Sequence, residues 1–335
     1  MRTIVCDPVL KCLVSLGMAA VLVLAAACVA AESGGPAPAG GAAPAPGAGA
    51  AGKRKIVFIP GPPSHGYGNH SHLGGCNLLA KFLNENVPAV EAVVLKDGWP
   101  KDPAALAGAS AIVLSCDGGS LVSQHLAELD ALVGKGIGLA CLHYTVDVPK
   151  GKVGQKMLDW IGGYYEQGWS VNPTWTADFQ KFPDHPVARG VKPFRVLDEW
   201  YYHMRFREEM KGVTPILSAV PPDSTRKGPD GAHSGNPTVR SRTGMAEDVA
   251  WAYQRPDGGR GFGFTGMHTH WNWACDGFRT AVLNAVVWIA GAEVPAGGVP
   301  SKRPTLEELE SCLGVPRPAG FKPEPIQKLI DGLNK

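Results

Sequence analysis

Six of the ten histidines fall in three short segments: His65, His70 and His72 in HGYGNHSH, His143 four residues before Asp147, and His268 and His270 in HTH. Imidazole binds zinc, copper, iron and nickel, and a catalytic centre of this kind takes about three protein ligands and keeps a position for water. Read this way, His65, His70, His72 and His270 are ligand candidates for a divalent metal such as zinc. Imidazoles also move protons near neutral pH, which makes His143 and His268 acid/base candidates. A third reading has the same rings hydrogen-bonding sugar hydroxyls or backbone. No HExxH-type spacing selects among the three. His125, His185 and His233 stand apart from these segments and read as solvent residues.

Asp198-Glu199-Trp200-Tyr201-Tyr202 sets carboxylates beside aromatics, a pairing that suits sugars, whose apolar ring faces stack on flat side chains while hydroxyls meet carboxylates. Glu199 is the catalytic carboxylate candidate, for substrate orientation or general base work. Asp117, Asp147, Trp200, Tyr201, Arg205 and Trp271 are the substrate-binding candidates. Core packing is the competing role for Trp200, Trp271 and Trp273, and Arg205 is placed either against Glu199 or at the surface. Gly66, Gly68, Gly74 and Gly75 match neither a dinucleotide fingerprint nor a P-loop, so no nucleotide cofactor is expected.

These residues need a scaffold that brings distant segments together. From residue 53 the chain alternates short apolar runs with amphipathic stretches. Strands are expected at 55–60 (KIVFIP), 89–95, 111–115 and 138–143 (GLACLH), and helices at 76–86 and after Ser123 as an N-cap. Uninterrupted apolar strands separated by helices indicate a mainly parallel sheet covered on both faces, an α/β fold. Residues 164–260 are rich in aromatics and prolines, with strands at 214–220 and 249–254 whose order the pattern does not reveal. A last strand at 261–265 and a helix at 277–290 close the domain. The histidine segments and Asp117 all follow strands, and in open α/β sheets the carboxyl edge is where ligands bind.

The flanks are of another kind. Residues 12–31 carry no charge and follow Arg2 and Lys11, with small residues at 29–31 for cleavage, which reads as a secretory signal over 1–31. Two rivals are a lipoprotein signal ending at Cys28 and an uncleaved membrane anchor. Residues 32–52 form an Ala/Gly/Pro-rich linker, because 33–52 contain only Ala, Gly, Pro and Ser and cannot build a core. All three readings put the domain outside the cytoplasm, in the periplasm, the extracellular space or on the envelope, with membrane contact only through the N-terminal segment. The folded domain spans 53–295, and a Pro-rich arm over 296–335, with short helices at 306–313 and 326–333, is expected on the surface. Past residue 31 there are 30 basic and 29 acidic residues, which excludes a nucleic-acid footprint. Five cysteines remain in the domain without a CxxC, so no disulfide framework is expected.

SHGYGNHSH after the first strand, GLACLH, DHPVARG, DEWYYHMRF and GRGFGFTGMHTHWNW occur in an order that resembles the trehalose-utilisation (ThuA-like) family over residues 54–293. The resemblance implies a flavodoxin-like three-layer α/β sandwich similar to class I glutamine amidotransferases. It also implies catabolism of trehalose and related sugars, hence a ligand that is a carbohydrate, an oligosaccharide or an oxidised sugar derivative. Amidotransferases use a cysteine nucleophile and a histidine-x-glutamate pair. Here Cys141 lies in the matching strand, but the second element is His268-Thr269-His270 without glutamate, which speaks against glutamine hydrolysis. A carbohydrate-processing enzyme is the leading expectation, with a sugar-binding module or a Cys141-dependent amidohydrolase as alternatives.

Overall fold

A computed structural model describes residues 52–334, and the leader and most of the linker lie outside them. Strand β1 (Arg54–Pro60) is followed by α1 (His72–Asn86), β2 (Val90–Val94) and β3 (Ala109–Ser115). Helices α2 (Gly118–Gln124) and α3 (Leu126–Val133), strand β4 (Gly138–Leu142) and α4 (Lys152–Ile161) come next. Two short antiparallel pairs follow, β5 (Gly163–Tyr164) with β8 (Arg205–Phe206), and β6 (Thr174–Phe179) with β7 (Phe194–Glu199). Strand β9 (Val213–Ala219), helix α5 (Pro237–Arg240) and strands β10 (Glu247–Gln254) and β11 (Arg260–Phe264) lead to α6 (Asp276–Ile289). Helices α7 (Leu306–Cys312) and α8 (Pro323–Gly332) complete the described chain.

The main sheet runs β2-β1-β3-β4-β11-β10-β9. Its first five strands pair parallel, and β10 is antiparallel to both its neighbours. The parallel part has the flavodoxin-like order, since β11 is the fifth strand of that series, and β10 and β9 extend one edge. Alternation along β1 sends Ile56 and Phe58 into a core with Leu79 and Phe82 of α1 and Val282 and Val286 of α6. Val57 and Ile59 point the other way, toward Val122, Leu129, Met157 and Trp160. Helices therefore cover both faces, which is why these strands read as unbroken apolar runs. In contrast, β6 buries only alternate residues, Trp175, Ala177 and Phe179, as a ribbon laid on one core.

Three local expectations are corrected. Helix α1 begins at His72, four residues earlier than expected, although Gly74 and Gly75 lower helix propensity. They are needed there because a Cβ at Gly74 would sit 2.9 Å from the His270 ring. Ser123 does not cap a helix. The Asp117 carboxylate accepts from the Ser120 amide and hydroxyl and starts α2 earlier, leaving His125 at the α2–α3 junction, stacked on Trp99. The C-terminal segment does not merely lie on the surface, since Leu306, Leu309, Leu313 and Ile330 enter the core beside α1.

Gly263 in β11 marks a tight contact, with an added Cβ placed 2.1 Å from the Trp251 indole. That indole is fixed by its N–H bond to the Ile161 carbonyl at 2.7 Å. Gly263→Ala is expected to destabilise the fold by about 1–3 kcal/mol through overpacking, read as a lower midpoint in urea denaturation.

Candidate functional site

Four side chains converge at the carboxyl edge of the sheet: His70, His143, Glu199 and His268, with one ligand atom from each within 4.8 Å of all the others. His70 comes from the loop after β1, and His143 opens a 3-10 turn at the end of β4. Glu199 ends β7, and His268 lies in the loop after β11. The His143 and His70 Nε2 atoms are 3.0 Å apart, and His268 Nδ1 is 3.0 Å from Glu199 Oε2. Glu199 Oε2 is also 3.5 Å from His143 Nε2 and 4.0 Å from His70 Nε2. A tetrahedral cation with ligands at about 2.0–2.2 Å spaces them by about 3.3–3.6 Å, so the arrangement fits with small adjustments.

Supporting contacts set the direction of these rings. His143 Nδ1–H donates to the Thr265 carbonyl at 2.7 Å, which turns Nε2 toward the cluster. Tyr201 Oη lies 3.3 Å from that Nε2, and Ser64 Oγ 2.9 Å from His70 Nδ1. Buried Asp198 accepts from the amides of Glu199, Met267 and Thr269, tying β7 to the loop that carries His268. Backbone strain gathers here too: His70, His143 and Met267 have φ of 42°, 52° and 96°. Non-glycine residues hold this left-handed region only where the surroundings enforce it, and such positions gather at functional sites.

Charge follows from burial and partners. Burial lowers the His70 pKa to about 4, against a smaller upward pull from Glu199, so the ring is neutral at physiological pH. For Glu199, burial favours the protonated acid, yet the neighbouring imidazoles of His143, His268 and His70, with His268 bonded at 3.0 Å, outweigh it and hold the carboxyl well below the usual carboxylate range. His268 is opposite in sign: burial lowers its pKa, but the Glu199 carboxylate more than compensates and raises it above 6.5. The side chains of Glu199 and His268 are 13% and 21% exposed, against 3% and 0% for His70 and His143, so access is from the Glu199–His268 side.

The remaining candidates are dispersed around this centre. His65 packs on it, with its ring 3.8 Å from that of His70. His72 does not face it, since its Nδ1 meets Ser115 Oγ at 3.0 Å in the core, where burial lowers its pKa to about 3. His270 is equally buried and meets the Leu309 carbonyl of α7 at 3.0 Å. Trp200 and Trp271 are core residues, and Asp117 is taken up in capping α2. Arg205 pairs with Glu166 at 3.0 Å and lies on the Trp169 ring, not against Glu199. Cys141 is fully buried in β4, and burial pushes its thiol well above the ordinary value, which leaves no thiolate for nucleophilic attack. His185 is half-buried against Trp288, whereas His233 is exposed and has Nδ1 3.9 Å from Glu199 Oε1.

Ser64, Thr265 and Asn172 were not marked by the sequence. Asn172 donates to Glu199 Oε1 at 3.1 Å and lines a polar groove with Asp147, whose pKa burial raises to about 6. No spacing signals Asn172, because the loop that carries it reaches Glu199 only after β6 and β7 have paired.

Since the folded pKa of His268 is raised, its pairing adds stability that is fully present below pH 6.5 and is lost as pH rises through the folded value. Glu199 acts in the opposite window, adding stability above pH 4.5 that is lost as pH falls through its depressed value. NMR titration is expected to place His268 above 6.5. In Glu199→Gln it falls below 6.5, since burial then acts without the carboxylate.

Among solved structures, the chain is similar to a ThuA-like protein from Parabacteroides merdae at 15% identity, covering 72% of this chain and 92% of that one with a TM-score of 0.47. A ThuA-like protein from Bacteroides uniformis is 13% identical, with 74% and 94% covered and a TM-score of 0.48. A glutamine amidotransferase from Methylobacillus flagellatus is 11% identical, with 83% and 91% covered and a TM-score of 0.33. No curated protein matches the chain. The model of the ThuA family, described as trehalose utilisation, matches residues 63–289. That span takes in all four residues of the His–Glu cluster and more than half of the sequence, and the chain belongs to the ThuA family.

Proposed function

We propose that this is an exported enzyme acting on a carbohydrate or an oxidised sugar derivative, with His70, His143, His268 and Glu199 holding a divalent cation. The observation that carries the reading is the convergence of three imidazoles and one carboxylate within 4.8 Å at the carboxyl edge of a parallel sheet. The family description supplies the sugar, and the apolar, uncharged segment at residues 12–31 supports export. A bound divalent cation would polarise a substrate oxygen or lower the pKa of a bound water.

The chain's own residues have defined tasks in this scheme. Thr265 holds the proton on the other ring nitrogen of His143, so Nε2 is the atom turned toward a cation. His70 stays neutral through burial, as a ligand must. Glu199 supplies negative charge at the exposed side, where its second oxygen is held by Asn172. His268, at the same exposed side, has Nδ1 3.0 Å from Glu199 Oε2 and would give up its proton on taking up the cation. That pair also supports a metal-free alternative in which His268 is the general acid and Glu199 the base, because the carboxylate favours the protonated imidazole.

Elemental analysis by plasma mass spectrometry of tag-free protein tests the reading. About one zinc, manganese or nickel per chain is expected after dialysis against these ions, and none in a His70→Ala, His268→Ala double variant of unchanged circular dichroism. Parent protein that stays metal-free, or a variant that binds as much, overturns the cation. Turnover of a sugar by the metal-free protein would then favour the His268–Glu199 pair.

A further inference from the structure

The two loops that deliver His70 and His268 cross each other beside the cluster. Asn69 and Thr269 form an antiparallel bridge, in which the His70 amide donates to the His268 carbonyl at 2.9 Å and the His270 amide to the Gly68 carbonyl at 2.8 Å. Each imidazole of the pair is carried one residue from the bridge, so the crossing sets their separation. It is too short to hold by itself in water, because the few bonds gained are matched by the cost of fixing the backbone. Strain adds to that cost, with φ of 42° at His70 and 96° at Met267. The support has to come from another part of the chain.

The C-terminal arm, beyond the span of the family match, bonds to both loops at once. Tyr67 of the first loop, Trp271 of the second and Phe321 of the arm meet ring to ring, with centroids 4.9, 5.8 and 6.1 Å apart. Gly68 lies against the Trp271 indole, where a Cβ would come within 2.5 Å. Tyr67 Oη donates to Glu310 Oε1 at 2.8 Å, and Arg317 Nε donates to the same oxygen at 2.8 Å. On the second loop His270 Nε2–H donates to the Leu309 carbonyl at 3.0 Å, and Asn334 Nδ2 donates to the Ala274 carbonyl at 3.0 Å. Helix α1, which continues the first loop, is tied in turn by Asn77, whose amide donates to the Cys312 carbonyl at 2.8 Å.

We infer that the C-terminal arm is a positioning element of the His–Glu centre: through Glu310, Phe321 and the Leu309 carbonyl it clamps the crossing of the two histidine loops and so fixes the spacing of His70 from His268. Its residues supply no ligand atom to the cluster, so they act through the loops and not on a substrate. The consequence for cation affinity rests on the reading above, whereas the ordering of the loops does not.

Hydrogen exchange and calorimetric zinc titration of the full chain test the two separately. A Glu310→Ala, Phe321→Ala double variant removes both partners of Tyr67 at half-buried positions and leaves Leu306, Leu309 and Ile330 in the core. The amides of His70 and His270 are expected to exchange at least about fivefold faster in it, with unchanged protection at Val113 of β3 and Ala140 of β4. Zinc is expected to bind at least about fivefold more weakly. Tyr67→Phe, which loses only the hydroxyl, is expected to move both readings in the same direction. Glu310→Gln keeps an oxygen for Tyr67 and is expected to stay within about twofold of the parent, a rescue that a general loss of stability would not give. Parental exchange at His70 and His270 in the double variant, or in Tyr67→Phe if the double variant does not fold, overturns the positioning role. Zinc affinity that stays parental while exchange quickens overturns it too. A parent that binds no zinc, with faster exchange in the variant, overturns the cation reading and supports the clamp.

Discussion

Parallel pairing of β4 with β11 places Leu142 opposite Phe264, so His143 and Thr265 leave the sheet side by side. The 2.7 Å bond between the His143 ring and the Thr265 carbonyl follows from that register. It decides which nitrogen of His143 faces the centre, and it holds the start of the loop that delivers His268. A slip of one residue would turn every side chain of β11 to the other face and take Thr265 out of reach. Burial on both faces of this part of the sheet makes the register firm, since Phe262 and Phe264 sit in one core and Gly263 is pressed against Trp251.

Around that fixed pair the protein keeps an arrangement that is unfavourable piece by piece. A carboxylate loses water at Glu199, and His70 and His143 take backbone angles that L-residues rarely adopt. Each finds its compensation in the others: three imidazoles surround Glu199, and Asp198 fixes the amides on either side. The C-terminal segment contributes from outside, because α7 closes over His270 through the Leu309 carbonyl and Tyr67 donates to Glu310 at 2.8 Å. The loops bearing His70 and His268 are thus pinned from the sheet side and from the arm side.

Much of the fold could be read from the chain because unbroken apolar strands and amphipathic helices carry their own period. The expected strands at 55–60, 111–115, 138–143 and 261–265 match β1, β3, β4 and β11 within a residue or two. Residues 164–260 could not be ordered, since β6 and β7 gain their partners only from each other and half their residues face solvent. At the site, histidine loops following strand ends were visible in the sequence. The division of labour among the six histidines was not, because a one-dimensional spacing of two between His70 and His72 or His268 and His270 says nothing about which side chain turns inward.

Composition, period and motif order by themselves determined an α/β domain of the ThuA family preceded by an uncharged stretch at 12–31 and an Ala/Gly/Pro/Ser run at 33–52, because these are properties of residue type and local spacing. Tertiary structure alone decided that His70, His143, His268 and Glu199 meet while His72 and His270 serve the core. It also decided that Asn172 joins Glu199 to a groove. Those outcomes depend on strand register, loop conformation and the burial of charge, which arise only when segments more than a hundred residues apart are packed together.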